Sequence, residues 1–340
     1  MRIGVVVSCY RQERFLARTV AALERALEGE DWQGVLEFAA PSDQPLPALS
    51  RRWRVISSFD PATGQPLRLL TPGAGRMLGF AACAGDWVLF VDSDMELDTA
   101  WVRAALATAA REPALAGIGG RIEEWFVDGP LERPGRHDIY GTGERDRSVG
   151  YLGNVAFYRR EALAAAGGYD VRLSSDEDFE LGMRLGWLGF GIRSLGMRVG
   201  KHWSAPRPSF PELSRRWRTG LCFGQGQVLR LYWGRRGFGT LLGRQWLYVA
   251  TLGMWSLTAA ALLAWPLAGD PRALALALLL PLLVLVPMSL RKRSPRLGLH
   301  SLLAWTLNGL GMAAGLFRPL PAAPPAVAAD RSPGAREAAC

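Results

Sequence analysis

The chain has 340 residues, with 40 Lys and Arg against 31 Asp and Glu and a formal net charge of +9. This length can build one large or two ordinary domains, and the positive charge suits an anionic membrane surface or a phosphorylated substrate. Without an arginine-rich motif or a nucleic-acid fold signature, a nucleic-acid partner is not expected. Four scattered cysteines without a CxxC pair exclude a disulfide framework and a zinc site, and they are typical of a reducing compartment.

The first 205 residues alternate apolar runs with helical patterns. The apolar run from Gly4 to Cys9 is too short for a signal peptide and predicts a buried strand instead. The predicted strands are 3–9, 35–39, 54–56 and 87–91, and the predicted helices are 15–27 and 73–84. Strands that alternate with helices predict an α/β domain with a mostly parallel sheet.

Two carboxylates, Asp92 and Asp94, directly follow the predicted strand 87–91. Aspartate is common where a strand turns, and Asp98 has such a structural role because it precedes a helical pattern that needs an N-cap. The alternative for Asp92 and Asp94 is a divalent cation site, since Mg²⁺ and Mn²⁺ take carboxylate oxygens and bridge to phosphates. Ligands of parallel α/β sheets gather at the carboxyl ends of strands, which favours the second interpretation.

A second acidic group lies at residues 176–178, in the stretch SSDEDFELGMRL. Acidic residues stabilise the start of a helix, but three in succession exceed what the helix dipole needs. One of them, placed in a cleft, could act as a general base. Farther along the chain, His202 is isolated, and an isolated histidine is more often structural than a ligand.

Several segments, taken in order, resemble family 2 glycosyltransferases with the GT-A fold. They are the opening strand with Cys9-Tyr10, GAGRMLGFAACAGDWVLFVDSD, GNVAFYRREALAAAGGYD and EDFELGMRL, with His202 beyond them. The resemblance covers residues 3–225. It implies a Rossmann-like GT-A domain that transfers sugar from a nucleotide-sugar donor.

The resemblance also assigns roles to single residues. Asp92 and Asp94 correspond to the DxD motif, which holds Mn²⁺ or Mg²⁺ and the donor diphosphate. Asp178 corresponds to the catalytic base of the ED motif, beside Glu177, and His202 to a position that completes the metal or diphosphate site. Further donor-binding candidates are Arg76, Asp43, Arg216 and Trp217.

The chain departs from the family pattern in several places, including Arg11 and Met77, where asparagine is frequent in the family. The acidic turn that grips the nucleobase is replaced by residues 38–44, where Asp43 is the possible substitute. UDP is the nucleotide expected from the resemblance, but this departure leaves the base open. Arg216 and Trp217 resemble the end of the QxxRW motif of processive synthases, but Leu213 stands where the glutamine belongs. A single-addition enzyme is therefore favoured.

The last third of the chain changes character. The segments 246–267, 273–290 and 297–317 carry no Asp, Glu, Lys or Arg, and each is close to the ~20 residues that cross a bilayer. They predict two or three transmembrane helices, and the third could instead lie in the interface. Basic residues flank these segments at 235, 236, 244, 291–293 and 296, which places the N-terminal domain in the cytoplasm.

These patterns divide the chain into four parts. They are a catalytic domain at 1–212, a basic and aromatic interfacial segment at 213–244, a membrane region at 245–318 and a disordered Pro/Ala-rich tail at 319–340. The expected function is metal-dependent inverting glycosyl transfer to a lipid or lipid-linked acceptor at the cytoplasmic face of the inner (plasma) membrane. The alternatives are a subunit of a processive polysaccharide synthase and a catalytically inactive membrane scaffold that binds nucleotide-sugars.

Overall fold

The computed structural model describes residues 1–9, 13–38, 46–60, 63–67, 69–204, 210–269, 271–322 and 329–330. The chain divides into two compact units. The first contains residues 1–172, 177–206 and 321–340, and the second contains residues 173–176 and 207–320.

The first unit is built on one mixed sheet. Its strands are β1 Ile3–Cys9, β2 Trp32–Phe38, β3 Trp53–Ser57, β4 Trp87–Asp92, β5 Met95–Leu97, β6 Leu115–Asp128, β7 Leu131–Pro134, β8 Arg147–Ser148, β9 Val155–Arg159, β10 Gly191–Ser204 and β11 Ala329–Asp330. Its helices are α1 Glu13–Ala26, α2 Pro72–Ala82, α3 Thr99–Arg111, α4 Arg160–Ala165 and α5 Glu177–Trp187. The strand order is β11-β3-β2-β1-β4-β9-β6-β10-β5, with β7 on β6 and β8 on β10.

The sheet has a parallel half and a half of mixed direction. Strands β3, β2, β1 and β4 are parallel, which confirms the predicted α/β class. Their side chains alternate between two apolar clusters on opposite faces: Val5 belongs to the cluster that contains Trp101 of α3, and Val6 to the cluster that contains Leu78 of α2. Beyond β4, the antiparallel strand β9 intervenes before β6.

Side-chain N-caps mark the starts of two helices in this unit. Asp98 caps α3, because its Oδ1 accepts a hydrogen bond from the Ala100 N–H at 3.0 Å. The structural interpretation of Asp98 therefore agrees with the observed geometry. Thr71 caps α2 in the same way, accepting from the Ala74 N–H at 3.2 Å.

The second unit is helical. Its helices are α6 Phe210–Arg218, α7 Gly224–Leu231, α8 Phe238–Arg244, α9 Trp246–Ala268, α10 Pro271–Arg291 and α11 Pro295–Phe317. Within the described residues, α9 and α10 are long and apolar enough to cross a membrane, judged by length and composition. Their leucines are widely exposed, with Leu263 at 69% and Leu267 at 88%.

Most of the tail that was expected to be disordered lies outside the described residues. Its described strand, β11, pairs with β3 in antiparallel fashion, with Ala329 opposite Ser57 and Asp330 opposite Ile56. This pairing adds residues 329–330 to the β3 edge of the sheet.

Candidate active site

The first predicted carboxylate, Asp92, is the last residue of β4, beside Ser8 near the end of the parallel strand β1. Its N–H donates to the Asn154 carbonyl at 2.9 Å. The turn that follows is anchored to α1, since the Thr19 hydroxyl donates to the Ser93 carbonyl at 2.8 Å. Hydrogen bonds to Asn154, just before β9, and to Thr19 of α1 thus fix the backbone that carries Asp92 and Asp94.

Helix α2 brings Arg76 to the same edge of the sheet. A Cβ at Gly79 would overlap the Val6 side chain, so only glycine allows α2 to lie this close to β1. From there the Arg76 guanidinium contacts three carboxylates: Asp92 Oδ1 at 2.9 Å, Glu177 Oε1 at 2.7 Å and Asp178 Oδ1 at 3.0 Å. We call these four side chains the Arg76 cluster. It joins the DSD stretch to the ED stretch.

The Arg76 cluster surrounds one buried guanidinium with three carboxylates. Burial by itself disfavours the charge on Arg76, but the carboxylates of Asp178, Asp92 and Glu177 outweigh that cost, so the pKa of Arg76 is raised above its usual value. Burial also raises the pKa of Asp92, against the opposing effect of Arg76. The guanidinium lies over the Tyr169 ring at 5.2 Å, which adds a cation–π contact.

The two carboxylates of the ED stretch differ in access. Both lie in the first turn of α5, but the Glu177 side chain is 6% exposed and that of Asp178 is 20% exposed. Helix α5 packs closely against the loop before β9, because a Cβ at Gly182 would overlap the Gly150 carbonyl. Asp178 is therefore the member of the pair that an incoming hydroxyl could reach.

The structure brings His202 next to Asp94. Strand β10 runs antiparallel to β5 with His202 opposite Met95, and the Trp203 N–H donates to the Asp94 carbonyl at 2.8 Å. The His202 Nε2 lies 3.3 Å from Asp94 Oδ2. A Cβ at Gly200 would overlap the Glu96 carbonyl, so this glycine permits the close strand approach that sets the pair.

The residues present suit a diphosphate-bound cation rather than a closed metal cage. Among the described residues, no three His, Cys, Asp or Glu side chains converge as a metal cluster. The Asp92 carboxylate contacts Arg76, so Asp94 and His202 are the adjacent pair of side chains that could bind a metal ion. A hard divalent ion is often held by one or two protein groups, with substrate phosphates and water completing its coordination, so this donor set fits Mn²⁺ or Mg²⁺.

Two residues near the site were not among the sequence-based candidates. The Tyr140 hydroxyl donates to the Asn154 side-chain oxygen, and burial, with the nearby carboxylates of Asp178 and Asp92, raises the pKa of Tyr140. Asn154 has a positive φ of 28° and directly precedes β9. Asn154 lies in the GNVAFYRR segment that carried the resemblance, whereas no local pattern marks Tyr140.

The other candidates from the sequence are Asp43, Arg216 and Trp217. Asp43 lies outside the described residues. Arg216 and Trp217 are on α6 of the second unit, where the Trp217 and Phe223 rings meet edge to face at 5.3 Å. Asp176, the third acidic residue, also belongs to the second unit and points to Arg244, with 3.7 Å between carboxylate and guanidinium.

Part of the chain matches known proteins in sequence. Residues 67–166, which contain Arg76, Asp92 and Asp94, match the family described as Glycosyl transferase family 2. The chain is 32% identical over 132 residues to the pre-mycofactocin glycosyltransferase of two Mycobacterium tuberculosis strains. That match spans 36% of this chain and only 28% of the length of the curated relatives.

The fold has a solved counterpart. The mannosyltransferase PcManGT from Pyrobaculum calidifontis, solved with GDP-Man and Mn²⁺, superimposes with a TM-score of 0.57 at 17% identity. The superposition covers 91% of this chain and 86% of PcManGT. The sequence of residues 67–166 is therefore similar to family 2 glycosyltransferases, and the chain has a mixed α/β sheet of the GT-A type.

Proposed function

We propose that this protein is an inverting glycosyltransferase that moves a sugar from a nucleotide-sugar donor to a hydroxyl of an acceptor. The observation that carries the proposal is the Arg76 cluster, in which the DSD and ED carboxylates meet at one edge of the sheet. The family match over residues 67–166 supports the same reaction class.

Each side chain has a distinct part in this reaction. Asp178 takes the proton of the acceptor hydroxyl while its oxygen bonds to the anomeric carbon, and the bond to the diphosphate breaks on the opposite face, so configuration inverts. Glu177 and Arg76 hold Asp178 in place through the shared guanidinium. Asp94 and His202 would hold Mn²⁺ or Mg²⁺, which would supply positive charge to offset that of the departing nucleoside diphosphate.

The donor is a nucleotide-sugar, and UDP is the nucleotide expected from the resemblance. The similar PcManGT structure contains GDP-Man, so both bases belong in the test. Purified full-length protein with Mn²⁺ should be stabilised against heat by its own donor, because a ligand that binds only the folded state raises stability. Donor turnover would then separate an enzyme from an inactive binding scaffold. Stabilisation without turnover by any acceptor class would favour the scaffold.

We expect the acceptor to be a lipid or a lipid-linked saccharide at the cytoplasmic face of the inner membrane. The apolar helices α9 and α10 and the basic residues around them support this location. Trp233, between α7 and α8, is 65% exposed in a basic, aromatic segment that suits a headgroup layer. Full-length protein in vesicles should transfer sugar to membrane lipid, and activity on soluble acceptors alone would contradict the lipid acceptor.

Product length distinguishes the processive alternative. Arg216 and Trp217 share the last two letters of the QxxRW motif, but Leu213 replaces its glutamine. One sugar per acceptor is therefore expected in mass spectra of the lipid product. A ladder of products under acceptor excess would instead identify a processive synthase subunit.

Asp94→Ala is expected to lower Mn²⁺-dependent donor affinity by about 10- to 100-fold, the scale on which loss of a metal-supporting group weakens binding. The reason is that a methyl group leaves the cation without a hard ligand beside His202. Titration calorimetry with and without Mn²⁺ measures the effect. Glu96→Gln, two residues along, is the matched control and should bind donor normally. If donor affinity depends on Mn²⁺ equally in both variants, Asp94 does not bind the metal ion.

A further inference from the structure

Helix α11 is the third apolar segment, and its first contacts are made at the end of α10. A Cβ at Gly298 would overlap Ser289, in the last turn of α10. The Lys292 ammonium, just past α10, donates to the Ser301 hydroxyl at 2.6 Å. The start of α11 therefore lies level with the point where α10 ends.

The middle of α11 crosses the first half of α9. The Trp255 Nε1–H donates to the Thr306 hydroxyl at 2.7 Å, and a Cβ at Gly309 would be 3.2 Å from the Tyr248 carbonyl. At 1.5 Å per residue, Trp255 lies about 14 Å along α9 from its first residue, and Tyr248 only about 3 Å. Between Thr306 and Gly309, α11 thus moves back toward the start of α9 and not toward its far end.

The last part of α11 packs on α7 and the residues just before it. A Cβ at Gly311 would be 2.6 Å from the Cys222 carbonyl, and a Cβ at Gly315 would overlap Phe223. The Arg230 guanidinium donates to the Leu316 carbonyl at 3.2 Å. The segment 174–176 links α7 to the start of α9, because the Ser174 N–H donates to Gln227 Oε1 at 2.9 Å and the Gln245 amide donates to Asp176 Oδ2 at 3.4 Å. Helix α11 therefore both starts and ends level with the end of the α9–α10 hairpin at which α9 begins and α10 ends.

The lipid-compatible surface of α11 is one narrow stripe. Its large exposed apolar side chains are Leu299, Leu303, Leu310 and Phe317, 40–79% exposed. They follow one another at intervals of four, seven and seven residues, so they share one face of the helix. In α10, by contrast, the adjacent residues Leu282 and Leu283 are both exposed, on different faces.

The path of the chain independently indicates that α11 does not cross the membrane. The chain leaves the first unit after residue 206 and re-enters it at residue 321, and β11 pairs with β3 of the catalytic sheet. A chain that returns to its starting side crosses a membrane an even number of times. Helices α9 and α10 supply two crossings, so a third crossing by α11 would put residues 329–330 on the wrong side for this pairing.

We infer that α11 lies in the membrane plane, with the stripe Leu299–Leu303–Leu310–Phe317 inserted in the leaflet on the side of the catalytic sheet. The inference rests on the membrane location in the proposed function and adds the surface that docks to the bilayer. Arg296 and Arg318, at the two ends of α11, suit anionic headgroups of that same leaflet. The α9–α10 hairpin then anchors the protein, while α11, packed on α7, forms a platform at the surface.

Cysteine labelling of the full chain in sealed membrane vesicles tests the sidedness. The probes are native Cys340 and, with Cys340→Ser, either Leu131→Cys in the catalytic unit or Leu267→Cys at the end of α9. A membrane-impermeant maleimide is expected to label Cys340 and Leu131→Cys from one side and Leu267→Cys from the other; Cys9, Cys83 and Cys222 are buried. Labelling of Cys340 from the same side as Leu267→Cys would overturn the inference.

Two further outcomes separate this inference from the proposed function. If all three probes react from one side, both the in-plane assignment and the membrane spans are wrong, yet donor turnover in detergent still tests glycosyl transfer. If donor turnover is absent while labelling follows the expected pattern, the topology stands and the proposed reaction fails.

Spin-label depth measurements address the helix itself. From Leu299 to Phe317, α11 rises about 27 Å, close to the roughly 30 Å thickness of the hydrocarbon core. Labels at the four stripe positions are expected at nearly equal, shallow depth, whereas Leu257→Cys in the middle of α9 should be deep. A depth maximum at positions 303 and 310, with shallow values at 299 and 317, would show that α11 spans.

Discussion

Asp178→Asn is expected to lower the turnover of bound donor by ~10²–10⁴-fold, the usual contribution of a general base, while donor affinity stays close to that of the parent protein. Asparagine keeps the shape and one hydrogen-bond acceptor for Arg76, 3.0 Å away, but it cannot take the proton of the acceptor hydroxyl. Single-turnover rates measured at saturating donor report this step, and calorimetry reports the affinity.

The neighbouring residue Asp176 supplies the matched control. Asp176→Asn changes the same group two residues earlier, but that carboxylate is directed to Arg244 and Gln245. Its positive φ of 64° is one that asparagine tolerates. We expect nearly normal turnover. A large loss of turnover in Asp176→Asn together with normal turnover in Asp178→Asn would assign the catalytic base to Asp176 and not to Asp178.

Arg76→Met is expected to lower the free energy of unfolding of the catalytic unit by about 3–5 kcal/mol, because removal of one partner of a buried ion pair leaves uncompensated charge. Arg76 is 8% exposed at its side chain and Glu177 6%, so water cannot replace the lost guanidinium. Chemical denaturation followed by near-UV circular dichroism measures the loss. The stability of Arg76→Lys should lie between that of the parent protein and that of Arg76→Met, since an ammonium restores the charge but not the planar geometry of the guanidinium.

An exposed arginine provides the baseline for this experiment. Arg103 is on the solvent side of α3, and Arg103→Met should change stability by no more than about 0.5 kcal/mol. Combining Arg76→Met with Glu177→Gln should recover part of the loss, because the double variant buries one charge fewer. If Arg76→Met costs no more than Arg103→Met, the cluster does not stabilise the fold.

The sequence alone determined the features that depend on local patterns. Strands β1 and β4 are continuous apolar runs, and α1 and α2 carry apolar side chains at helical spacing, so their types follow from periodicity. The cap at Asp98 and the position of Asp92 at a strand end were equally local. The ordered motifs also predicted the resemblance to family 2 glycosyltransferases, and the alternation of strands with helices predicted the α/β class. The sequence left open whether helix α11 spans the membrane, because hydropathy measures composition and not the depth of a helix in the bilayer.

Only the tertiary structure decided which of these groups meet. Arg76 contacts Asp92 from 16 residues away and Glu177 from 101 residues away, and no local pattern encodes such a meeting. The strand pairing that brings His202 to Asp94 and the antiparallel insertion of β9 likewise arise from long-range register. A side chain's partners depend on how sheet order and helix packing close the chain in three dimensions. The sequence pattern thus identified the candidate carboxylates, and the packing of α2, α5 and β10 brought them together in one site.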